Sequence, residues 1–142
     1  MKMRLLVSLA GLALAACLAA GAAEAGNVPR TGDQHVLLLQ CALGVPGACD
    51  DVTLTAGEAF HVAHGFTGEP WADLVNPLHR FELSIDGTQV HGAIDLDHAT
   101  LEKWYVFNFP QGMTGTHTFT GCWYATDGSL AFSCGTRTVY FA

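Results

Sequence analysis

Where the apolar residues of this chain have a clear period, the period is two, and that restricts the fold more than any other feature. Across 80–86, Phe81, Leu83 and Ile85 alternate with Arg80, Glu82 and Ser84, and Asp86-Gly87 then supplies the residues of a tight hairpin turn. Across 59–66, Phe60, Val62, His64 and Phe66 share one face. Residues 52–55 alternate until Ala56-Gly57 stops them, and 116–125 set Phe119, Gly121 and Trp123 against Thr118, Thr120 and Cys122. Residues 104–109 are dense in aromatics and end at Pro110, and 130–141 close the chain. Two further strands are expected at 35–43, an apolar run with little alternation, and more weakly at 89–94. The best helical stretch is 97–104, N-capped by Asp97 and one or two turns long at most. About seven short strands, separated by Gly, Pro and Asp-Gly turns, predict an all-β, two-sheet antiparallel sandwich.

The first residues set the compartment. Lys2 and Arg4 precede an apolar run over 5–20, and Ala23-Glu24-Ala25 follows, which is the pattern of a secretory signal cleaved after Ala25. Of 142 residues, 117 then remain, enough for one domain, with a loose lead-in at 26–34 and the sandwich over 35–142. A rival reading takes Leu14-Ala15-Ala16-Cys17 as a lipobox, with Cys17 acylated as a lipid anchor. Losing Lys2, Arg4 and Glu24 moves the formal charge from −7 to −8, which repels nucleic acid and anionic lipid. After the leader, no apolar run is long enough to span a bilayer. The expected location is periplasmic or extracellular.

Export makes the other four cysteines a disulfide framework. The expected pairs are Cys41–Cys49, around a loop containing Gly44, Pro46 and Gly47, and Cys122–Cys134, symmetric about Gly128. The second pair requires an odd hairpin loop such as Asp127-Gly128-Ser129. A two-residue Asp127-Gly128 turn would face Cys122 with Ser133 and put Cys134 on the other side.

Seven histidines raise a metal reading, with Cu or Zn as the cofactor and His61, His64, His91 and His98 as candidate ligands. His61 and His64 are three apart, so on a strand they face opposite ways, and only a bulge or turn would bring them together. His91 and His98 flank Asp95 and Asp97, but the calcium-loop pattern fails at Ala99 and Glu102. His64 and His79 share the apolar parity of their strands, where a buried imidazole donating to a carbonyl is the ordinary outcome. No Gly-x-Ser-x-Gly elbow occurs, and neither Ser129 nor Ser133 has a positioned partner in sequence. Trp71, in the loop Gly68-Glu69-Pro70-Trp71, and Tyr105, which alternates with Trp104, are the expected binding-surface aromatics.

Leu54-Thr55-Ala56-Gly57-Glu58-Ala59-Phe60 resembles the A′-to-B entry of bacterial immunoglobulin-like domains, and 112–123, with His117, Phe119, Gly121 and Trp123, resembles their F strand. The resemblance covers most of 52–141. It departs at the inter-sheet cystine, which is missing, and at His117, which stands where these domains place the tyrosine of the corner. It implies a fold and no functional residue. The resulting expectation is an exported, non-catalytic binding or envelope-structural module with no cofactor, working through loops at one end of the sandwich. The alternative is a metal-binding protein using several of the histidines.

Overall fold

The computed structural model describes residues 28–142, so the expected leader and Cys17 lie outside the described residues. The described residues are all-β, with nine strands: β1 Gln34–His35, β2 Val52–Leu54, β3 Phe60–Thr67, β4 Phe81–Ile85, β5 Thr88–Val90, β6 Ala93–Asp97, β7 Glu102–Phe109, β8 Gly115–Trp123 and β9 Gly135–Phe141. Two single-turn helices, α1 Leu39–Ala42 and α2 Trp71–Leu74, lie between strands. One sheet runs β1-β3-β7-β6 and the other β2-β9-β8-β4-β5. The strands at 52–55, 59–66, 80–86, 104–109 and 116–125 form close to where alternation places them.

Other elements differ from expectation. Both sheets are mixed rather than antiparallel, because β1 joins β3 in parallel and β2 joins β9 in parallel. The run at 35–43 is not one strand: β1 is followed by α1, since an unbroken apolar run has no period to choose between helix and strand. The segment 89–94 divides, with β5 in the five-stranded sheet and β6 in the four-stranded one. The helix expected at 97–104 is absent. Asp97 Oδ1 does accept from Ala99 N and Thr100 N, as a cap would, but Leu101 at φ 55° turns the chain into β7. Two-residue turn chemistry holds at Asp86-Gly87, whose φ values of 53° and 82° match the turn that joins Ile85 to its partner Thr88.

The described residues form two compact units. One comprises Arg30–His64, Pro77–Gly92 and Phe107–Ala142. In it Phe60 of β3 is fully buried, stacked on Phe109 at 4.5 Å and in ring contact with Phe119 and Phe141 from the other sheet. His64 lies between Phe81 and Trp123. The other unit includes Gly65–Asn76 and Ala93–Val106. Here Gly65 has no Cβ, and one built there would fall 2.6 Å from the Trp104 ring, so the indole lies flat against β3. Phe66 meets Tyr105 edge-to-face at 6.5 Å, and Leu74 anchors α2.

Both expected disulfides are present, Cys41–Cys49 and Cys122–Cys134. The second arises by a route that differs in detail. At the hairpin tip Tyr124 pairs with Leu130 and Ala125 N donates to Ser129 O, so the turn centres on Asp127. Residues 131–134 then return opposite 122–123. That bulge restores the register in which Gly121 faces Gly135, with the two cysteines one step beyond. Two cystines fit an oxidising compartment outside the cytoplasm. Among the described residues no helix is long and apolar enough to cross a membrane.

Candidate functional site

A stacked pair of rings comes from two neighbouring loops of the second unit. Gly68, at φ 71°, ends the β3 exit and donates its N–H to Leu101 O at 3.1 Å, which ties the loop before α2 to the β6–β7 turn. Pro70 starts α2, buried Leu74 holds it down, and Trp71 is left half-buried at its head. Across the tie, the Asp97 carboxylate fixes the turn that presents His98. The two rings stack at 4.3 Å with 25° between their planes. The sequence marks Trp71 as a binding aromatic and His98 as a metal ligand, for unrelated reasons, and the fold makes them one aromatic ledge.

The remaining expected residues disperse. Tyr105 is not a surface ring: it is 8% exposed, packed on Phe66. Its inward parity on β7 is shared with Lys103, which is 3% exposed. The Lys103 ammonium donates to Asn76 O at 3.4 Å and lies 5.4 Å from the Tyr105 ring centroid. Burial lowers its pKa, and the Glu69 carboxylate partly offsets this. Sequence reading passed over Lys103, although its alternation with Trp104 on a strand that ends in aromatics carried the signal.

The histidines do not assemble. His61 and His64 face opposite ways along β3, as alternation requires. His61 donates from Nδ1 to Thr31 O and stacks on His35 at 5.6 Å. His64 is 5% exposed, and its Nε2 has no hydrogen-bond partner. Burial pushes its pKa down to about 4. His79, the other inward histidine, donates from Nδ1 to Tyr124 O at 2.9 Å. His91 is exposed on the β5–β6 connection. Asp95 is buried and accepts from Val28 N. Among the described residues no group of three or more His, Cys, Asp or Glu is placed to hold a metal ion.

His117 has a defined task at the start of β8. Its Nδ1 lies 2.6 Å from Asp86 Oδ2 and its Nε2 lies 2.9 Å from Thr114 O. Both partners are acceptors, so the geometry favours the doubly protonated ring. The bond to Asp86 raises the His117 pKa, and the same bond, with Thr118 N donating to Asp86 Oδ1, lowers that of Asp86. The pair therefore contributes stability between the ordinary values of the two groups, 3.8 and 6.5. The His117 part is lost as pH rises through its raised pKa, and the Asp86 part as pH falls through its lowered one. Asp86→Asn should bring the His117 titration, followed by NMR of the ring protons, down toward 6.5; an unmoved titration would refute the pairing.

No protein-family model matches this chain, and a search of curated proteins finds no match.

Proposed function

We propose that this protein is an exported, non-catalytic binding module of immunoglobulin-like form that recognises an envelope or extracellular partner through the Trp71–His98 ledge. The stacked ledge is the observation that carries the reading. A large aromatic held half-open by two tied loops is the kind of side chain that dominates recognition surfaces. The immunoglobulin-like part draws support from strand order. Leaving out the short parallel strands β1 and β2, seven strands remain, and β3-β7-β6 and β9-β8-β4-β5 follow the sequence B-E-D and G-F-C-C′. The β4–β5, β4–β8, β6–β7 and β8–β9 pairings are all antiparallel. His117 reaches back to Thr114 O much as the corner tyrosine reaches its upstream backbone. Two positions after it, Phe119 meets Phe60 where the inter-sheet cystine of such domains would lie. A non-catalytic reading is supported by how the reactive-looking groups are engaged. Both His117 nitrogens are bonded, and Ser129 Oγ donates to Asp127 of its own turn.

Two measurements test the proposal. Fractionation of the producing cells should recover the protein outside the cytosol, cleaved after Ala25, with four cysteines resistant to alkylation. Purified protein should bind the isolated, lipid-extracted envelope or surface fraction, with at least a fivefold loss in Trp71→Ala and a smaller one in His98→Ala. Cytosolic recovery with free thiols would overturn export, and binding equal in wild type and Trp71→Ala would overturn the ledge.

A further inference from the structure

A second surface lies in the other unit, on the segment closed by Cys41–Cys49. Between His35 and Asp50 the chain has no charged side chain. Within that stretch Leu37 is 56%, Leu39 37%, Leu43 55% and Val45 43% exposed. The leucine and valine the fold needs are sorted away from them, with Val36 and Leu38 essentially fully buried. Local geometry gathers the exposed set. Gly44, at φ 77°, donates to Cys41 O while Val45 N donates to Gln40 O, the paired bonds of a Schellman cap. Such a cap folds the residue after the glycine back toward the helix, here bringing Val45 toward Leu39. Leu43 lies one turn on from Leu39.

The knob is rigidly mounted. Cys41 and Ala42 are buried beneath it. Gly135 of β9 admits α1 closely, since a Cβ there would fall 2.5 Å from Leu38 O. Arg137 donates to Leu37 O and Asp50 O at its two ends, and the cystine closes the loop. A preorganised projection of this kind loses little entropy when it is buried.

We infer that this knob is a membrane-interface element that seats Leu37, Leu39, Leu43 and Val45 in zwitterionic lipid. Three features favour a lipid surface over a protein partner. Apart from the uncharged Gln40, the large exposed side chains are aliphatic, and the knob lacks the Trp, Tyr and Arg that anchor protein contacts. A bare aliphatic projection gains by entering an acyl boundary without needing a matching pocket. Charge complementarity sets the lipid: the knob is neutral, it is followed by Asp50 and Asp51, and the chain carries −7, so anionic headgroups are disfavoured.

Flotation of the mature, disulfide-intact protein with phosphatidylcholine vesicles tests this. Wild type should float with the vesicles. Leu43→Asp and Leu39→Asp should each reduce the bound fraction at least tenfold and the milder Leu43→Gln about threefold, while Trp71→Ala leaves it unchanged. Vesicles half phosphatidylglycerol should bind less than phosphatidylcholine alone. Thermal melts confirm that the surface variants fold. Absence of wild-type flotation at millimolar lipid, equal flotation of the Asp variants, or preference for phosphatidylglycerol would each overturn the inference. So would a wild-type dimer in sedimentation that Leu43→Asp dissolves without any flotation, which would assign the knob to a second copy. Because the vesicles contain no protein, this outcome is independent of the Trp71–His98 ledge.

Discussion

Phe60→Ala should destabilise the protein by about 4 kcal/mol, the range for emptying a buried aromatic site. Phe60 is 0% exposed, lies parallel to Phe109 with 5° between the rings, and contacts Phe119 and Phe141 across the sheets. Truncation removes the transfer energy of the ring and the pairwise terms of several aromatic contacts, each about 0.5–1.5 kcal/mol. It leaves a cavity bounded by β-strands that cannot collapse without breaking register. A domain of this size has on the order of 5–15 kcal/mol to lose. Urea titration should show the midpoint falling sharply with an unchanged slope, and Phe60→Leu, which refills most of the space, should recover more than half of the loss. A cost below about 1 kcal/mol would mean that the two sheets do not meet at Phe60.

Acidification should destabilise the protein through His64. Its ring is enclosed by Phe81, at 4.7 Å, and by Trp123, edge-on at 5.0 Å, and its Nε2 has no acceptor to receive a second proton. The pKa is lowered from 6.5 to about 4, so the unfolded chain binds this proton more readily than the folded one. Stability from the neutral ring is therefore full above 6.5 and falls away as pH drops from 6.5 toward 4. At about 1.4 kcal/mol per unit, the loss reaches about 2–3 kcal/mol by pH 4.5. His117 acts with the opposite sign, its share being lost as pH rises, so the two histidines bound an optimum between them. His64→Leu keeps an apolar side chain in the site and should flatten the acid limb. Denaturant midpoints at pH 7 and 4.5 give the comparison, and an equally steep acid limb in His64→Leu would assign it to other groups.

Much of the fold is legible because strand alternation is a local property. Phe81, Leu83 and Ile85 announce β4, Asp86-Gly87 announces its turn, and the inward set of β3 is already marked in the sequence. The cystine pairing is legible as well, since close spacing along the chain leaves few ways to join four cysteines, although the hairpin that joins the second pair reaches it through a bulge. The misses share a cause: at each, the local pattern permits more than one structure. The leucines of 37–39 have no period, so the close approach allowed by Gly135 and the Schellman cap at Gly44 settle on α1. Asp97 caps a turn in the fold as it would cap a helix, and only the pairing of β6 with β7 selects the hairpin.

The site was half-readable. Trp71 stood out as a loop aromatic and His98 as a loop imidazole, yet nothing local links residues so far apart in the chain. Their stack exists because Gly68 N–H reaches Leu101 O. That Tyr105 is buried rather than on the surface is not legible locally for a related reason: alternation says that Trp104 and Tyr105 face opposite ways but not which way is in.

By itself, the sequence determined the β character of the chain, its main strands, the hairpin turn at Asp86-Gly87 and the partners of its cysteines, because each depends on residues a few positions apart. Only the tertiary structure decided which strands join in parallel at the edges, which face of β7 is buried, and which side chains meet as a ledge or stand out as a knob. Those outcomes depend on contacts between residues distant in sequence, and such contacts are selected by the packing of the whole rather than by any local period.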